Sequence, residues 1–141
     1  MLYVMRHGQA VDRSEVGDMG RWLTKKGRED VRKVAALLSK KNTTIKKIVC
    51  SPLVRAVQSA ELMASVLQVD GPIAISGDVT PEGDVDVAKV TLRAMGEHVL
   101  VLSHESFVSR FIQTLTGTDE YFSTSELRCI VGNELKWALK A

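Results

Sequence analysis

At 141 residues the chain is long enough to bury roughly two thirds of the surface its unfolded state exposes, so one domain over residues 1–141 closes a core without metal or disulfide. Its composition, 45% hydrophobic and 26% charged, excludes a disordered or fibrous protein. A net charge of +2, from 19 basic and 17 acidic residues mixed along the chain, leaves no basic domain or tail that would argue for nucleic acid, and any anion preference must come from a local site.

Taken in order, the apolar run Met1 to Met5 reads as a buried strand, and Arg6, His7 and Gly8 stand at its exit. A fixed imidazole is a nucleophile for phosphorus, a neighbouring guanidinium holds phosphoryl oxygens, and Gly8 lets the backbone turn close to a ligand. From Gly8 to Leu23 the sequence is polar and glycine-containing and reads as a loop over the strand end. Thr24 is the predicted N-cap of a helix whose apolar face is Val31, Val34, Ala35 and Leu38, closed by Lys40, Lys41 and Asn42. Ile45 to Cys50 is the second predicted strand. Ser51 and Pro52 end it, and Arg55 follows in the first turn of a helix marked by Val57, Ala60, Met63, Ala64 and Leu67.

Gly71 and Pro72 precede a weak strand at Ile73 to Ile75, and Gly77 to Asp84 is a loop whose last residue caps a helix carrying Val85, Ala88, Leu92 and Met95. Val99 to Leu102 is a strongly apolar strand with Ser103, His104 and Glu105 at its end. Phe107, Val108, Phe111, Ile112 and Leu115 trace a helix that stops at Gly117. Leu127 to Val131 and Glu134 to Leu139 flank Gly132 and Asn133, the signal for an antiparallel hairpin. Strand alternating with helix predicts a three-layer α/β/α sandwich with a mainly parallel sheet and this C-terminal hairpin. The carboxyl ends of parallel strands share one rim, so Arg6, His7, Arg55 and His104 are expected to converge there.

The motifs Arg6-His7-Gly8; Arg21, Leu23, Thr24 and Gly27; Ser51, Pro52, Arg55 and Ala56; Thr80, Pro81, Gly83 and Asp84; and Ser103-His104 occur in the order of a known family. From Leu2 to about Leu115 the chain resembles the histidine phosphatase superfamily, with its phosphoglycerate-mutase-like fold, and above all its short bacterial phosphohistidine phosphatases. The resemblance implies that His7 is the phosphorylated nucleophile, that Arg6, Arg55 and His104 bind the phosphoryl group, and that no metal or other cofactor takes part. It implies as substrate a phosphorylated protein bearing phosphohistidine, with a small phosphate ester as the alternative and a phospho-residue binding module without turnover as the contrary case. Larger relatives of the family carry an insertion that covers the site and a glutamate that protonates the leaving oxygen; that insertion has no counterpart in this sequence. An open rim suits a side chain presented by a protein better than an enclosed metabolite.

The remaining chemistry-bearing residues have structural readings. Glu82 and Glu105 are the candidate proton donors, with competing roles as a loop surface charge and a helix N-terminal acid. His98 reads as a surface residue. Four residues separate Cys50 from Arg55, one fewer than a cysteine-phosphatase loop requires, and Pro52 removes an amide from such a cradle, so Cys50 is assigned to packing. Cys50 and Cys129 lie far apart in apolar runs, as suits reduced thiols and a cytoplasmic protein. With no basic leader before Leu2 and no apolar run near the roughly 20 residues of a span, neither targeting nor membrane insertion is expected. The arginines beside His7 are expected to lower its pKa.

Overall fold

The computed structural model, which describes residues 1–141, has a six-stranded sheet between two pairs of helices. In chain order the elements are β1 (Leu2–Arg6), α1 (Lys25–Ser39), β2 (Lys47–Cys50), α2 (Val54–Leu67), β3 (Ala74–Ile75), α3 (Val85–Ala94), β4 (Val99–Ser103), α4 (Phe107–Thr116), β5 (Leu127–Val131) and β6 (Glu134–Leu139). The strand order is β3-β2-β4-β1-β5-β6. β1 to β4 run parallel, whereas β5 is antiparallel to β1 and β6 antiparallel to β5. No helix is long and apolar enough to cross a membrane.

The side-chain period of a strand splits the core in two. Tyr3 and Met5 of β1 pack with Val31, Val34 and Leu38 of α1 and with Ala60 and Met63 of α2. Val4 lies among Val49, Val101, Leu92 of α3 and Phe107 and Phe111 of α4. Both sheet faces are thus covered, as a parallel sheet requires, and the three-layer expectation holds.

Local signals act where the sequence puts them. Thr24 Oγ1 accepts the Gly27 amide at 2.9 Å, and Asp84 Oδ1 accepts the Asp86 amide at 2.9 Å, so two helix starts are capped by side chains. The β5–β6 turn has Gly132 at φ 63°, the left-handed conformation that such a turn needs. β2 begins at Lys47, two residues later than the pattern predicts: Ile45 is a half-buried residue packed on the core, and the Lys46 amide donates to the His98 carbonyl just ahead of the first paired residue. The reading of His98 as a surface residue is also corrected. It is half-buried with φ 60°, and its amide donates to the Met1 carbonyl at 2.9 Å, so it forms the corner from α3 into β4.

Two glycines bring α1 against the exit of β1. A β-carbon on Gly8 would stand 2.8 Å from Val31 Cγ2 and 2.9 Å from the Gly27 carbonyl oxygen, and one on Gly27 would collide with the Gln9 carbonyl. Gly27→Ala gains about 1 kcal/mol of helix propensity. The backbone clash outweighs it, and urea unfolding is expected to show a net loss of about 1–3 kcal/mol. A variant as stable as the wild type would mean that the backbone at Gln9 moves aside freely.

Candidate active site

The strand order carries the chain's reactive side chains to one rim. β1 and β4 are neighbours in register, Arg6 opposite Ser103, and the His7 amide donates to the Ser103 carbonyl at 3.0 Å. The His7 and His104 rings consequently sit with centroids 4.9 Å apart, tilted by 56°. β2 flanks β4 on the other side, and α2 begins three residues beyond the end of its strand-like pairing, so that Arg55 in its first turn reaches back to His7.

His7 is only 7% exposed, and its Nδ1 lies 2.7 Å from the Gly8 carbonyl oxygen. A carbonyl only accepts, so the ring proton belongs on Nδ1 and the lone pair on Nε2. That lone pair receives the Arg55 Nε–H at 3.3 Å. The Gly8 amide donates to Ser59 Oγ at 3.0 Å, and Ser59 Oγ donates to the Arg55 carbonyl at 2.8 Å, which ties the exit of β1 to α2.

Arg55 is buried, and its other two nitrogens are taken by a residue the sequence reading did not single out. Nη1 donates to the Asp18 carbonyl at 2.9 Å and Nη2 to Asp18 Oδ2 at 3.3 Å. Asp18 Oδ1 also pairs with Arg21 Nη1 at 3.0 Å, while Arg21 Nε donates to the Val11 carbonyl at 2.6 Å. The polar stretch after Gly8 is therefore organised, with a 3-10 turn at Asp18–Gly20 and a bridge between Ala10 and Leu23. Nothing local distinguishes Asp18 from Asp12 or Glu15. Arg6 is held differently, by the Phe122 carbonyl at 2.8 Å and the Tyr121 hydroxyl at 3.1 Å. His104 is 1% exposed, and neither of its ring nitrogens has a protein partner.

Burial lowers the His7 pKa from 6.5 to about 4, with Arg55, Arg6 and Arg21 adding to the effect and the bond to Gly8 opposing it. The direction agrees with the sequence reading, but desolvation ranks ahead of the arginines as its cause. His104 falls from 6.5 to about 3, through burial first and then through His7 and Arg55. Both rings are neutral at pH 7. The arginine pair holds the Asp18 carboxyl below its ordinary value, Arg21 being the larger influence.

The other candidates make no hydrogen bond or ion pair with the side chains of this cluster. Glu82 is exposed and makes no hydrogen bond or ion pair with the four rim residues. Glu105 spends both oxygens on backbone amides, those of Ser109 at 3.2 Å and Phe122 at 2.7 Å. The Cys50 thiol is buried and pushed up to about 12, chiefly by desolvation, far from the thiolate a nucleophile needs. No group of three or more His, Cys, Asp or Glu side chains is clustered as a metal would require.

A buried neutral imidazole with an aimed lone pair, among guanidiniums at the carboxyl rim of a parallel sheet, is an arrangement chemically suited to phosphoryl transfer. Comparison with known proteins agrees. Residues 2–76 match the model of the histidine phosphatase superfamily, branch 1, so the chain belongs to that family and is a phosphatase. It is 29% identical over 139 residues to the phosphohistidine phosphatase SixA of Escherichia coli (strain K12), spanning 94% of this chain and 86% of that protein. The structure of a protein histidine phosphatase SixA complexed with tungstate superposes with a TM-score of 0.92 at 28% identity, covering 99% of this chain and 96% of that one. A putative phosphohistidine phosphatase SixA from Agrobacterium tumefaciens shares the fold, with a TM-score of 0.87 at 18% identity over 99% of this chain and 97% of that one.

The two depressed imidazoles couple stability to pH. Unfolded histidine binds protons from about pH 6.5 downward, whereas His7 and His104 resist them to about 4 and about 3, so the unfolded state gains protons first and stability falls on acidification. Between pH 7 and pH 5 each ring is expected to withdraw about 2 kcal/mol. Urea unfolding at the two pH values checks this, with His104→Phe expected to remove about half of the pH dependence. Equal stability at pH 5 and pH 7 would contradict the burial of neutral rings.

Proposed function

We propose that this phosphatase works through a phosphohistidine intermediate on His7, within one domain spanning residues 1–141, and that its substrate is phosphohistidine in proteins. The observation that carries the reading is the 2.7 Å contact from His7 Nδ1 to the Gly8 carbonyl, which directs the free lone pair of Nε2 toward the cluster of Arg55, Arg6 and His104. Nε2 attacks phosphorus as the bond to the leaving group breaks, and the bonding electrons depart with that group. Water then attacks the phosphoenzyme, the P–Nε2 electrons return to His7, and a water proton is released with phosphate. Arg55 and Arg6 offset charge on the transferring oxygens, which is where a loose phosphoryl transition state concentrates it, and no step calls for a metal. Before substrate arrives, Arg55 Nε rests on the nucleophile itself, so the phosphoryl group must take over that N–H as it enters. His104, neutral and without a protein partner, is available to donate to a phosphoryl oxygen.

The substrate class follows from the leaving group. An alkoxide needs a placed acid, whereas the imidazole of phosphohistidine takes up a proton near neutral pH. Glu82 is exposed and bonded to none of the rim residues, and Glu105 is occupied, so the site favours a group that needs little help. Similarity to SixA, described as a phosphohistidine phosphatase, supports the same choice.

The expected order of kcat/KM is a phosphohistidine protein, then an aryl phosphate, then a sugar phosphate, all in one buffer. A sugar phosphate in first place would replace this reading with that of a metabolite phosphatase. Arg55→Ala should lower kcat by about 10²–10³, the usual cost of removing one donor to a developing oxyanion. A change of under threefold would make Arg55 a structural partner of Asp18 alone.

A further inference from the structure

Between α4 and β5 the chain follows no regular element, yet several polar groups converge on it. Arg6 Nη1 donates to the Phe122 carbonyl at 2.8 Å, and from the opposite side the Phe122 amide donates to Glu105 Oε2 at 2.7 Å. The second oxygen of Glu105 accepts the Ser109 amide at 3.2 Å, which anchors the carboxylate to the first turn of α4. The Phe122 side chain is fully buried. Beyond it, the Ser123 amide donates at 2.9 Å to Glu126, itself paired with Arg128 at 2.6 Å, and Arg128 Nη2 donates to the Tyr121 carbonyl at 3.0 Å. The segment that holds Arg6 is thus fixed from α4 by Glu105 and from β5 by an ion pair.

We propose that Glu105 is a positioning residue: by fixing the backbone of Phe122 it sets where the Arg6 guanidinium meets the phosphoryl group. This rests on the reading of Arg6 as a phosphoryl ligand. Glu105 follows His104 directly, so one carboxylate links the turn carrying His104 to the segment that accepts the Arg6 hydrogen bonds. Both of its oxygens accept backbone N–H groups, a pattern that uses no carboxyl proton, and this separates the role from that of an acid toward the leaving group. Arg6 needs such placement because it makes no ion pair and its Nη1 is held only by a carbonyl and a phenol. Removing the carboxylate leaves the Phe122 amide without its acceptor, and the segment shifts to find another.

The test is a double-mutant cycle on the full-length enzyme with Arg6→Ala, Glu105→Ala and the pair, after circular dichroism has established that each is folded. Glu105→Ala is expected to lower kcat/KM about tenfold or more, by the same factor for an aryl and a sugar phosphate, and to weaken inhibition by inorganic phosphate in step. In the Arg6→Ala background the same change should cost less than about twofold, because interacting residues are not additive. Glu105→Gln, which keeps one acceptor oxygen, should recover part of the loss, and it carries the cycle if the alanine variant does not fold. Additive losses, with Arg6→Ala itself impaired, would overturn the inference alone. A loss confined to the sugar phosphate, with a changed basic limb of the pH profile, would make Glu105 an acid and overturn it equally. Unimpaired kinetics in Arg6→Ala would remove the phosphoryl-ligand reading and the inference with it.

Discussion

An imidazole can attack phosphorus only if one nitrogen carries the proton and the other points its lone pair outward. In this protein one short contact settles both, because the carbonyl of Gly8 can only accept and so fixes the proton of His7 on Nδ1. Much of the surrounding packing serves that carbonyl. Gly8 is anchored through its amide to Ser59 of α2, and the absence of a side chain at Gly8 and Gly27 lets α1 approach the same backbone. A strand end, a helix start and a glycine contact thereby hold one peptide, and the nucleophile proposed at His7 inherits its rigidity.

The charges around His7 are divided in an instructive way. Asp18 is shared between Arg55 and Arg21 and offsets one of their two positive charges, whereas Arg6 is restrained by uncharged oxygens and has no counter-ion. The site can thus attract an anion although the chain as a whole carries only +2. Burial does the remaining electrostatic work, since desolvation more than neighbouring cations keeps His7 and His104 neutral. Bound as proposed, a phosphoryl group would meet two neutral rings and a set of fixed guanidiniums, which is a preorganised environment for negative charge.

Much of this was legible in the sequence, for a topological reason. Parallel strands deliver their carboxyl ends to one edge, so Arg6, His7, Arg55 and His104 could be brought together on paper without knowing the strand order. Caps and turns at Thr24, Asp84 and Gly132 were equally readable, because each depends on a side chain or φ angle within a few residues. Asp18 was not, since its meaning comes from two arginines, one of them 37 residues away, and its own loop offers several carboxylates with no period to choose among them. The Tyr121–Phe122 segment escaped for the same reason. Its interest lies in a backbone carbonyl, which every residue possesses. His98 was misread because a backbone corner, visible only in the fold, pulls the residue inward.

The proposed mechanism is atom-specific, with the phosphoryl group passing through Nε2 of His7. Rapid acid-free quenching of turnover with a phosphohistidine protein, followed by peptide mapping and phosphorus NMR of the trapped enzyme, reads the site directly. The expected product is one phosphoryl group on His7, bonded to Nε2, absent from His7→Ala and formed as fast as the substrate is consumed. A phosphoryl group on Nδ1, on Cys50 or on no residue at all during steady turnover would contradict it.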